Sequence, residues 1–371
     1  VSPGGDQEAH VVRGEPRREE RCLDIAPLMR EPSEHSTPLQ LIENASLEDI
    51  SDAAASSRLR VDSVDPSIFD DAELVPVIGL YAGVGGISLG TRHRVGSRRY
   101  VTVLAIEGDA FFADSHRLTH PHIPVSCTWM VGHDETLSII ESFLPRRLWS
   151  RAWVHASPSC RQASSINLKT RDVDQSRAQT LWALQLLQKL RPAVWTLEQA
   201  PSLYQSFRGQ YRFVSRLNMR LHCKLPQDRR RLIMSNAPLS LPTRGDAQAA
   251  PLTVRDALAR VRGWSPGTRL LMRNSMRHMK TVDCPAFTMT SGSHQVGATR
   301  QGDFAAEHQL SAYERAILQG VKRPERRLVF PPGATEQPMR TAVCNMVPPP
   351  FAAVLQKAVD STYPRQANVS R

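Results

Sequence analysis

A single cysteine, Cys160, stands in a run of small residues that contains Pro158 and follows a short apolar segment. Small residues and a proline after a predicted strand indicate a tight turn at the carboxyl end of that strand. In an open parallel sheet, ligands bind at that end. Because a thiolate is a strong nucleophile, a cysteine in such a turn is a candidate for covalent catalysis. Taken alone the signal is weak, since a lone cysteine is more commonly a small buried hydrophobic side chain.

A second candidate feature is the glycine loop 82–86, which follows a predicted strand and opens a helix. Glycines let a ligand approach the backbone closely, and a helix N-terminus offers free N–H groups. Glu107 ends the next predicted strand, where a carboxylate can accept hydrogen bonds from ribose hydroxyls. A third spaced glycine and a P-loop lysine are both missing, which argues against a dinucleotide or ATP. The loop therefore predicts a nucleotide-like cofactor, with a plain tight turn as the alternative.

The elements that must position these residues begin at position 74. Predicted strands cover 75–81, 100–106, 149–155 and 193–197, and predicted helices cover 87–93, 110–119, 175–190 and 310–319. Strands that alternate with helices predict an α/β fold with a doubly wound, mostly parallel sheet.

Composition shifts divide the chain further. Residues 1–70 are rich in Pro, Ser, Arg and Glu and predict a disordered or loosely ordered extension, available to a protein partner. A main domain is predicted at 74–250 and 305–360. A small irregular lobe, rich in Arg and Met, is predicted at 251–304, and 361–371 form a tail.

Bulk composition limits the class of protein. The 371 residues are 41% hydrophobic and 22% charged, as in soluble globular proteins, and the net charge of +11 suits a polyanion. Six scattered cysteines without a C-x-x-C pair argue against a zinc site or a disulfide framework, so no metal is expected. Neither a signal peptide nor a bilayer-spanning stretch is visible. We therefore expect an intracellular protein without a membrane contact: nuclear in a eukaryote, cytoplasmic in a prokaryote or phage.

The ordered motifs between 74 and 357 resemble those of the cytosine-C5 DNA methyltransferases. The family motif D-L-F-A-G-x-G-G corresponds here to Gly79-Leu80-Tyr81-Ala82-Gly83-Val84-Gly85-Gly86, and G-P-P-C-Q corresponds to Ser157-Pro158-Ser159-Cys160-Arg161. The motif E-N-V corresponds to Glu198-Gln199-Ala200, and Q-x-R-x-R corresponds to Gln227-Asp228-Arg229-Arg230-Arg231. The motif L-T-x-R-E…L-Q-G corresponds to Leu310-Ser311-Ala312-Tyr313-Glu314…Leu318-Gln319-Gly320, and G-N-A-V-P-P-P corresponds to Cys344-Asn345-Met346-Val347-Pro348-Pro349-Pro350. Several motifs are weak singly, and their joint order carries the resemblance.

The resemblance implies a reaction and a set of roles. The Cys160 thiolate would add to C6 of cytosine, Glu198 would hold or deliver a proton at N3, and Arg231 with Arg229 would contact the base and phosphate. The methyl donor would be S-adenosylmethionine, and double-stranded DNA would present a flipped-out cytosine. The implied cofactor contacts are Tyr81, Ala82, Gly83, Gly85, Gly86, Glu107, Asp134 and Asn345. The implied nucleic-acid contacts are Ser164, Gln227, Arg269, Arg273 and Arg277. The resemblance makes 74–250 with 305–360 the catalytic methyltransferase domain and 251–304 a small irregular target-recognition lobe.

Several positions depart from the family pattern. Gly79 replaces an aspartate, Ser159 a proline, Arg161 a glutamine and Cys344 a glycine, and Gln199-Ala200 replaces Asn-Val.

Two alternative functions stay open. A related branch methylates cytosine in tRNA and carries a C-F-T element, which the segment 284–288 does not match. A catalytically silent relative that binds nucleic acid or a partner is the other, and the joint retention of the cysteine, the glutamate and the arginines argues against it.

Overall fold

The computed structural model describes most of the chain from position 71 onward. The described residues are 71–128, 132–160, 173–208, 211, 213–242, 252–264, 270–274, 278–292, 294–300 and 303–363. The predictions for the extension 1–70, for Ser164, Arg269 and Arg277, and for most of the tail concern residues outside this part.

The described elements alternate strands and helices. The strands are β1 (Leu74–Leu80), β2 (Arg94–Val95), β3 (Arg98–Glu107), β4 (Val125–Cys127), β5 (Trp153–Ala156), β6 (Val194–Gln199), β7 (Phe213–Asn218), β8 (Arg230–Ser235), β9 (Leu271–Arg273), β10 (Met279–Thr281), β11 (Gln295–Arg300) and β12 (Asp303–Gln309). The helices are α1 (Gly86–Gly90), α2 (Ala110–Thr119), α3 (His133–Phe143), α4 (Val173–Leu190), α5 (Tyr204–Phe207), α6 (Met219–Cys223), α7 (Val254–Arg262), α8 (Ala312–Leu318), α9 (Pro324–Arg327), α10 (Glu336–Asn345) and α11 (Pro349–Asp360).

Strands β1 to β8 form the main sheet, in the order β2-β3-β1-β5-β6-β8-β7, with β4 also paired to β3. Strands β4, β3, β1, β5 and β6 run parallel, whereas β8 is antiparallel to β6. Helices cover both faces. The predicted α/β class with a doubly wound, mostly parallel sheet is confirmed. Consequently, the residues that follow β1, β3, β4, β5 and β6 share one edge of the sheet.

Apolar side chains of β1 alternate between two cores. Ile78 and Leu80 pack on one face with Leu184 of α4, and Val77 packs on the other face with Phe351 of α11. All five side chains are fully buried or nearly so. Since full burial of each large apolar side chain contributes about 1.5–3 kcal/mol, these two layers hold the strands that end at the candidate site.

The predicted lobe contains a second sheet. Its order is β10-β9-β11-β12, all antiparallel, and β12 carries it to Gln309, beyond the predicted boundary at 304. Helix α7 starts with a capping box between Thr253 and Asp256 and buries Leu258 against Met272 of β9. The lobe is therefore more regular than its sequence predicts, because β9 and β10 have three residues each and are too short to show alternation.

Among the described residues, no helix is both long and apolar enough to span a membrane.

Candidate active site

The turn that carries Cys160 is anchored by its own backbone. The Ser157 N–H donates to the Leu80 carbonyl of β1 at 3.2 Å, and Ser176 Oγ of α4 donates to the Ser159 carbonyl at 3.2 Å. The Cys160 side chain is half-buried and packs against the core beneath the sheet edge. The thiol is therefore held at the carboxyl end of β5, as its sequence predicts.

Gln199, which the sequence analysis noted only as a departure from the family's asparagine, adds a third anchor. Its fully buried amide Nε2 lies 3.3 Å from the Pro158 carbonyl and 3.0 Å from Thr180 Oγ1, and its Oε1 accepts the Ala200 N–H at 2.7 Å. A buried amide with both ends used is costly to replace by an apolar group. The departure from the family's asparagine thus leaves a side chain that fastens the cysteine turn to β6 and α4.

Glu198 lies beside this turn, 3% exposed. One oxygen pairs with Arg231 and the other accepts from Ser157 Oγ at 2.7 Å. Burial by itself raises the pKa of Glu198, but Arg231, Arg229, the Ser157 hydrogen bond and nearby His155 outweigh it, so the pKa lies below its usual value. The carboxyl group is therefore ionised at neutral pH.

The antiparallel strand β8 explains how the arginines reach Glu198. Glu198 pairs with Ile233 and Gln199 with Leu232, so the amino end of β8 meets the carboxyl end of β6. Side chains that precede Leu232 consequently project at the same edge as the cysteine turn, and Arg231 pairs with the glutamate there.

Arg229 is 2% exposed and serves the fold as well as the site. Its guanidinium donates to the carbonyls of Cys344 and Met346 at 3.1 and 3.4 Å, which fastens β8 to the end of α10. Burial and the charge of Arg231 lower the pKa of Arg229 to about 10, and Cys160 is among the groups that oppose this shift. Its positive charge therefore lies within electrostatic range of the candidate nucleophile.

His155 is a neighbour that the sequence analysis missed. It is buried on β5, and its Nδ1 lies 2.9 Å from Thr196 Oγ1, which also accepts from Trp153 Nε1 at 3.0 Å. Burial lowers the pKa of His155 to about 4, although the charge of Glu198 opposes this. The imidazole is neutral at pH 7 and adds no further cation to the site.

The glycine loop follows β1, next to the end of β3. Glu107 accepts the N–H groups of Gly83 at 2.7 Å and of Gly108 and Asp109 at 2.9 Å. Burial, helped by the charge of Asp109, outweighs these bonds and raises the pKa of Glu107. Of about four lone-pair sites on the carboxylate, three are used, which leaves one for an outside hydroxyl. The residue thus shapes the loop and still fits a ribose contact.

Tyr81 and Ala82 connect β1 to this loop. The Ala82 N–H donates to the Ile106 carbonyl at 3.1 Å, and the half-buried Tyr81 ring meets Trp182 edge to face at 6.4 Å between centroids. Burial and the charge of Glu107 raise the pKa of Tyr81. Both residues lie at the sheet edge where the family resemblance places the cofactor.

The glycines of the loop and of helix α1 differ in their structural roles. A Cβ at Gly86 would lie 2.0 Å from the Val347 carbonyl oxygen, and one at Gly90 would lie 2.1 Å from that of Pro349. These two glycines therefore permit close packing against the segment between α10 and α11. Gly83 has φ +56°, and a Cβ there would meet no described heavy atom within 4 Å. Its open side is the feature that fits a cofactor held against the backbone.

Substitution at Gly83 separates cofactor binding from folding. Asparagine tolerates the left-handed conformation, so the Gly83→Asn variant is expected to fold, while its side chain fills the open side of the loop. We expect affinity for S-adenosylmethionine to fall at least about tenfold, measured by calorimetry. Gly263→Asn, at the left-handed end of α7, is the matched control and should bind normally. Equal affinities of both variants would remove Gly83 from the cofactor contact.

Three histidines pack beneath this loop. His116 Nδ1 lies 3.1 Å from the Gly83 carbonyl oxygen and His120 Nε2 lies 3.3 Å from that of Gly85, while His122 adjoins His120. No described group of His, Cys, Asp or Glu side chains has the arrangement of a metal site. Burial lowers the pKa of His116 to about 4 and that of His120 well below 6.5. The sequence analysis did not single out these histidines, and the available signal was their close spacing in one run.

The buried histidines predict acid lability. Their pKa values are lower in the folded state, so the unfolded chain binds more protons as the pH falls from about 6.5 to about 4. The free energy of unfolding is expected to drop over that window by about 1.4 kcal/mol per pH unit for each such histidine. Denaturant titrations at several pH values give the unfolding free energy as a function of pH. This dependence should be shallower for His116→Gln than for the wild type and unchanged for the exposed control His278→Gln. An equal pH dependence of the unfolding free energy in all three proteins would contradict the assignment of acid lability to the buried histidines.

Asp134 and Asn345 lie at the outside of the molecule. Asp134 is in the first turn of α3, its side chain 89% exposed, and it pairs with Lys189 of α4 at 2.9 Å. That hydrogen bond lowers the pKa of Asp134. Asn345 is exposed at the end of α10. The structure gives neither residue a contact with the glycine loop, so their cofactor roles stay predictions.

The side chain of Gln227, a predicted nucleic-acid contact, lies inside the protein, and its role towards nucleic acid stays a prediction. The side chain is fully buried; its Nε2 donates to the Leu318 carbonyl at 3.0 Å, and its Oε1 accepts the Met289 N–H at 3.1 Å. Both ends of the amide are thus used inside the protein. Gln227 joins β8 and α8 to the lobe.

The cations of the lobe are also more engaged than their spacing predicts. Arg262 forms a two-pronged pair with Glu314 of α8, with Nη2–Oε2 at 2.6 Å, and Lys280 pairs with Asp228 at 2.8 Å. Arg273 on β9 donates to Gln295 of β11. Acids outside the lobe therefore neutralise part of its charge, and these pairs tie it to the main domain.

Known proteins were compared with the chain by sequence and by structure. No protein-family model and no curated protein sequence matches it. Solved structures do match. An E. coli prophage protein described as a DNA modification methyltransferase has a TM-score of 0.53 at 15% identity, over 78% of this chain and 99% of its own.

Two further solved structures give similar values. A variant of Spodoptera frugiperda DNMT2 has a TM-score of 0.50 at 12% identity, over 77% of this chain and 99% of its own. The Entamoeba histolytica methyltransferase EhMeth has a TM-score of 0.50 at 13% identity, over 78% and 99%. At these identities the likeness is one of fold. The chain has the fold of these methyltransferases.

Proposed function

We propose that the protein transfers a methyl group from S-adenosylmethionine to C5 of a cytosine in DNA. The observation that carries the proposal is the meeting of three features at one sheet edge: the turn with Cys160, the buried Glu198–Arg231 pair, and the glycine loop with its open side at Gly83. Each feature alone could serve only to stabilise the fold, whereas methyl transfer to cytosine C5 uses all three together.

Cys160 is the proposed nucleophile. Its thiolate forms a bond to C6 of the cytosine, which moves electron density to C5 and N3. C5 is otherwise a poor nucleophile, and this addition allows it to take a methyl group. Transfer of the C5 proton to a water molecule and breaking of the S–C6 bond then restore the ring and the free thiolate.

Glu198 is the proposed partner of the base. Its two oxygens retain lone pairs beyond those used by Arg231 and Ser157, so the carboxylate can accept a hydrogen bond from the exocyclic amine. As electron density builds at N3, a proton drawn from solvent is shared between N3 and the carboxylate. Arg231 holds the carboxylate and supplies a fixed positive charge next to the O2 carbonyl oxygen of the base. When bound, S-adenosylmethionine supplies an electrophilic methyl group, and Gly83 and Glu107 are the residues that would hold it.

DNA is the proposed substrate because of the charge of the chain and the name of one structural neighbour. The net charge of +11 favours a phosphate backbone, and the E. coli neighbour is described as a DNA modification enzyme. A base inside a duplex must be flipped out to reach Cys160. Arg273 of the lobe is a candidate contact, as is the exposed Arg260 of α7.

Labelled methyl transfer tests this function. The protein is incubated with S-adenosylmethionine carrying an isotopic methyl label and either unmethylated DNA or tRNA, and the nucleosides are identified by mass spectrometry. We expect labelled 5-methylcytosine in DNA. Label in tRNA alone would assign the tRNA alternative, and label in neither would point to the silent relative.

A further inference from the structure

Ser157 has no role in the scheme above, yet its side chain reaches the centre of the site. Its Oγ donates to Glu198 Oε2 at 2.7 Å, across from β5 to β6. The backbone N–H of the same residue is fixed to Leu80 of β1 at 3.2 Å. The turn itself is therefore held by backbone contacts, and the hydroxyl makes a separate contact. The resembling family has glycine here, which has no side chain to offer.

The groups that surround Glu198 come from two strands. Arg231 and Arg229 approach from β8, while Ser157 and the neutral His155 approach from β5. Arg231 takes one carboxylate oxygen and Ser157 takes the other, so the plane of the carboxylate is fixed from both sides. A hydrogen bond to a buried ionised group is stronger than one between neutral groups.

We propose that Ser157 is a positioning residue, whose hydroxyl orients the Glu198 carboxylate towards the target base and favours its ionised form. Ser157 keeps its own proton, and no bond forms or breaks there. The consequence for catalysis rests on the proposed function, whereas the coupling of Ser157 to the charge of Glu198 does not. The Ser157 bond is one of the contributions that lower the pKa of Glu198, so its removal raises that pKa.

The first test needs no activity. Unfolding by denaturant at pH 7 is measured for the wild type, Ser157→Ala, Glu198→Gln and the double variant, with the exposed Ser215→Ala on β7 as control. We expect Ser157→Ala to raise the unfolding equilibrium constant about tenfold or more, and clearly less when Glu198 is already glutamine. Ser157→Thr should restore most of the loss. An equal effect of Ser157→Ala in both backgrounds would mean a plain turn residue and overturn the proposal.

The second test uses the pH dependence of single-turnover methyl transfer. Because Ser157→Ala raises the pKa of Glu198, the limb of the rate–pH profile that reports Glu198 should move to higher pH, and Ser157→Thr should move it back. A limb that stays in place while the rate falls would overturn the positioning role. A wild type without transferase activity would count against the proposed function, and the unfolding cycle would still decide the role of Ser157.

Discussion

The Cys160→Ala variant is expected to lose methyl transfer by at least about 10⁴-fold while it keeps its fold. Without the sulfur no bond to C6 can form, and the remaining groups can only bind and orient the base. The side chain is half-buried and the turn is held by Ser157, Ser159 and Gln199, so the loss of one sulfur should leave the backbone in place. Single-turnover assays with labelled cofactor measure the effect.

A matched control exists in the lobe. Cys284 is exposed and accepts from Thr281 Oγ1, well separated from the cysteine turn in the chain. Cys284→Ala should therefore retain wild-type transfer, which excludes a general effect of thiol removal. Transfer by Cys160→Ala within tenfold of the wild type would show that the reaction does not pass through this thiol.

Glu198→Gln should lower turnover by about 10²–10⁴-fold with little change in affinity for S-adenosylmethionine. The amide has the shape of the carboxyl group, but it cannot hold a proton for N3 and cannot neutralise Arg231. The glycine loop is hydrogen-bonded to Glu107 rather than to Glu198, so the substitution should leave the affinity for the cofactor unchanged. Single-turnover rates and calorimetry separate the two quantities.

The exposed Glu141 provides the comparison. It pairs with Arg146 at 2.9 Å on the surface, and Glu141→Gln should change neither rate nor affinity. An unchanged rate in Glu198→Gln would remove the acid–base role of this residue. A large loss of cofactor affinity would show that it acts through the cofactor side.

Much of the candidate site could be predicted from chain order. Glu107, Cys160 and Glu198 each follow or end a short apolar strand, and parallel strands present their carboxyl ends at one edge. The arginine motif pointed to the same place, although only the antiparallel course of β8 shows how it arrives there. Order and residue type therefore sufficed where each residue acts at the end of its own strand.

Contacts between distant segments could not be predicted from the sequence. Gln227 sits in a motif with arginines, and only the fold shows that Leu318 and Met289 use its amide. Arg262 pairs with Glu314 of α8, which is 52 positions away in the chain. The sequence of the lobe therefore overestimates its positive charge. Gly86 was assigned to the cofactor, whereas its Cβ position is filled by the Val347 carbonyl from the far end of the chain. No local pattern encodes such pairings.

Covalent capture on DNA tests the proposed chemistry of Cys160 itself. In 5-fluorocytosine, fluorine replaces the hydrogen that must leave C5 after methyl transfer, so the S–C6 bond should persist. With S-adenosylmethionine present, we expect a denaturant-resistant one-to-one adduct between the protein and a duplex that contains this base, and none for Cys160→Ala. A wild-type protein that methylates ordinary DNA yet forms no adduct would contradict the covalent mechanism.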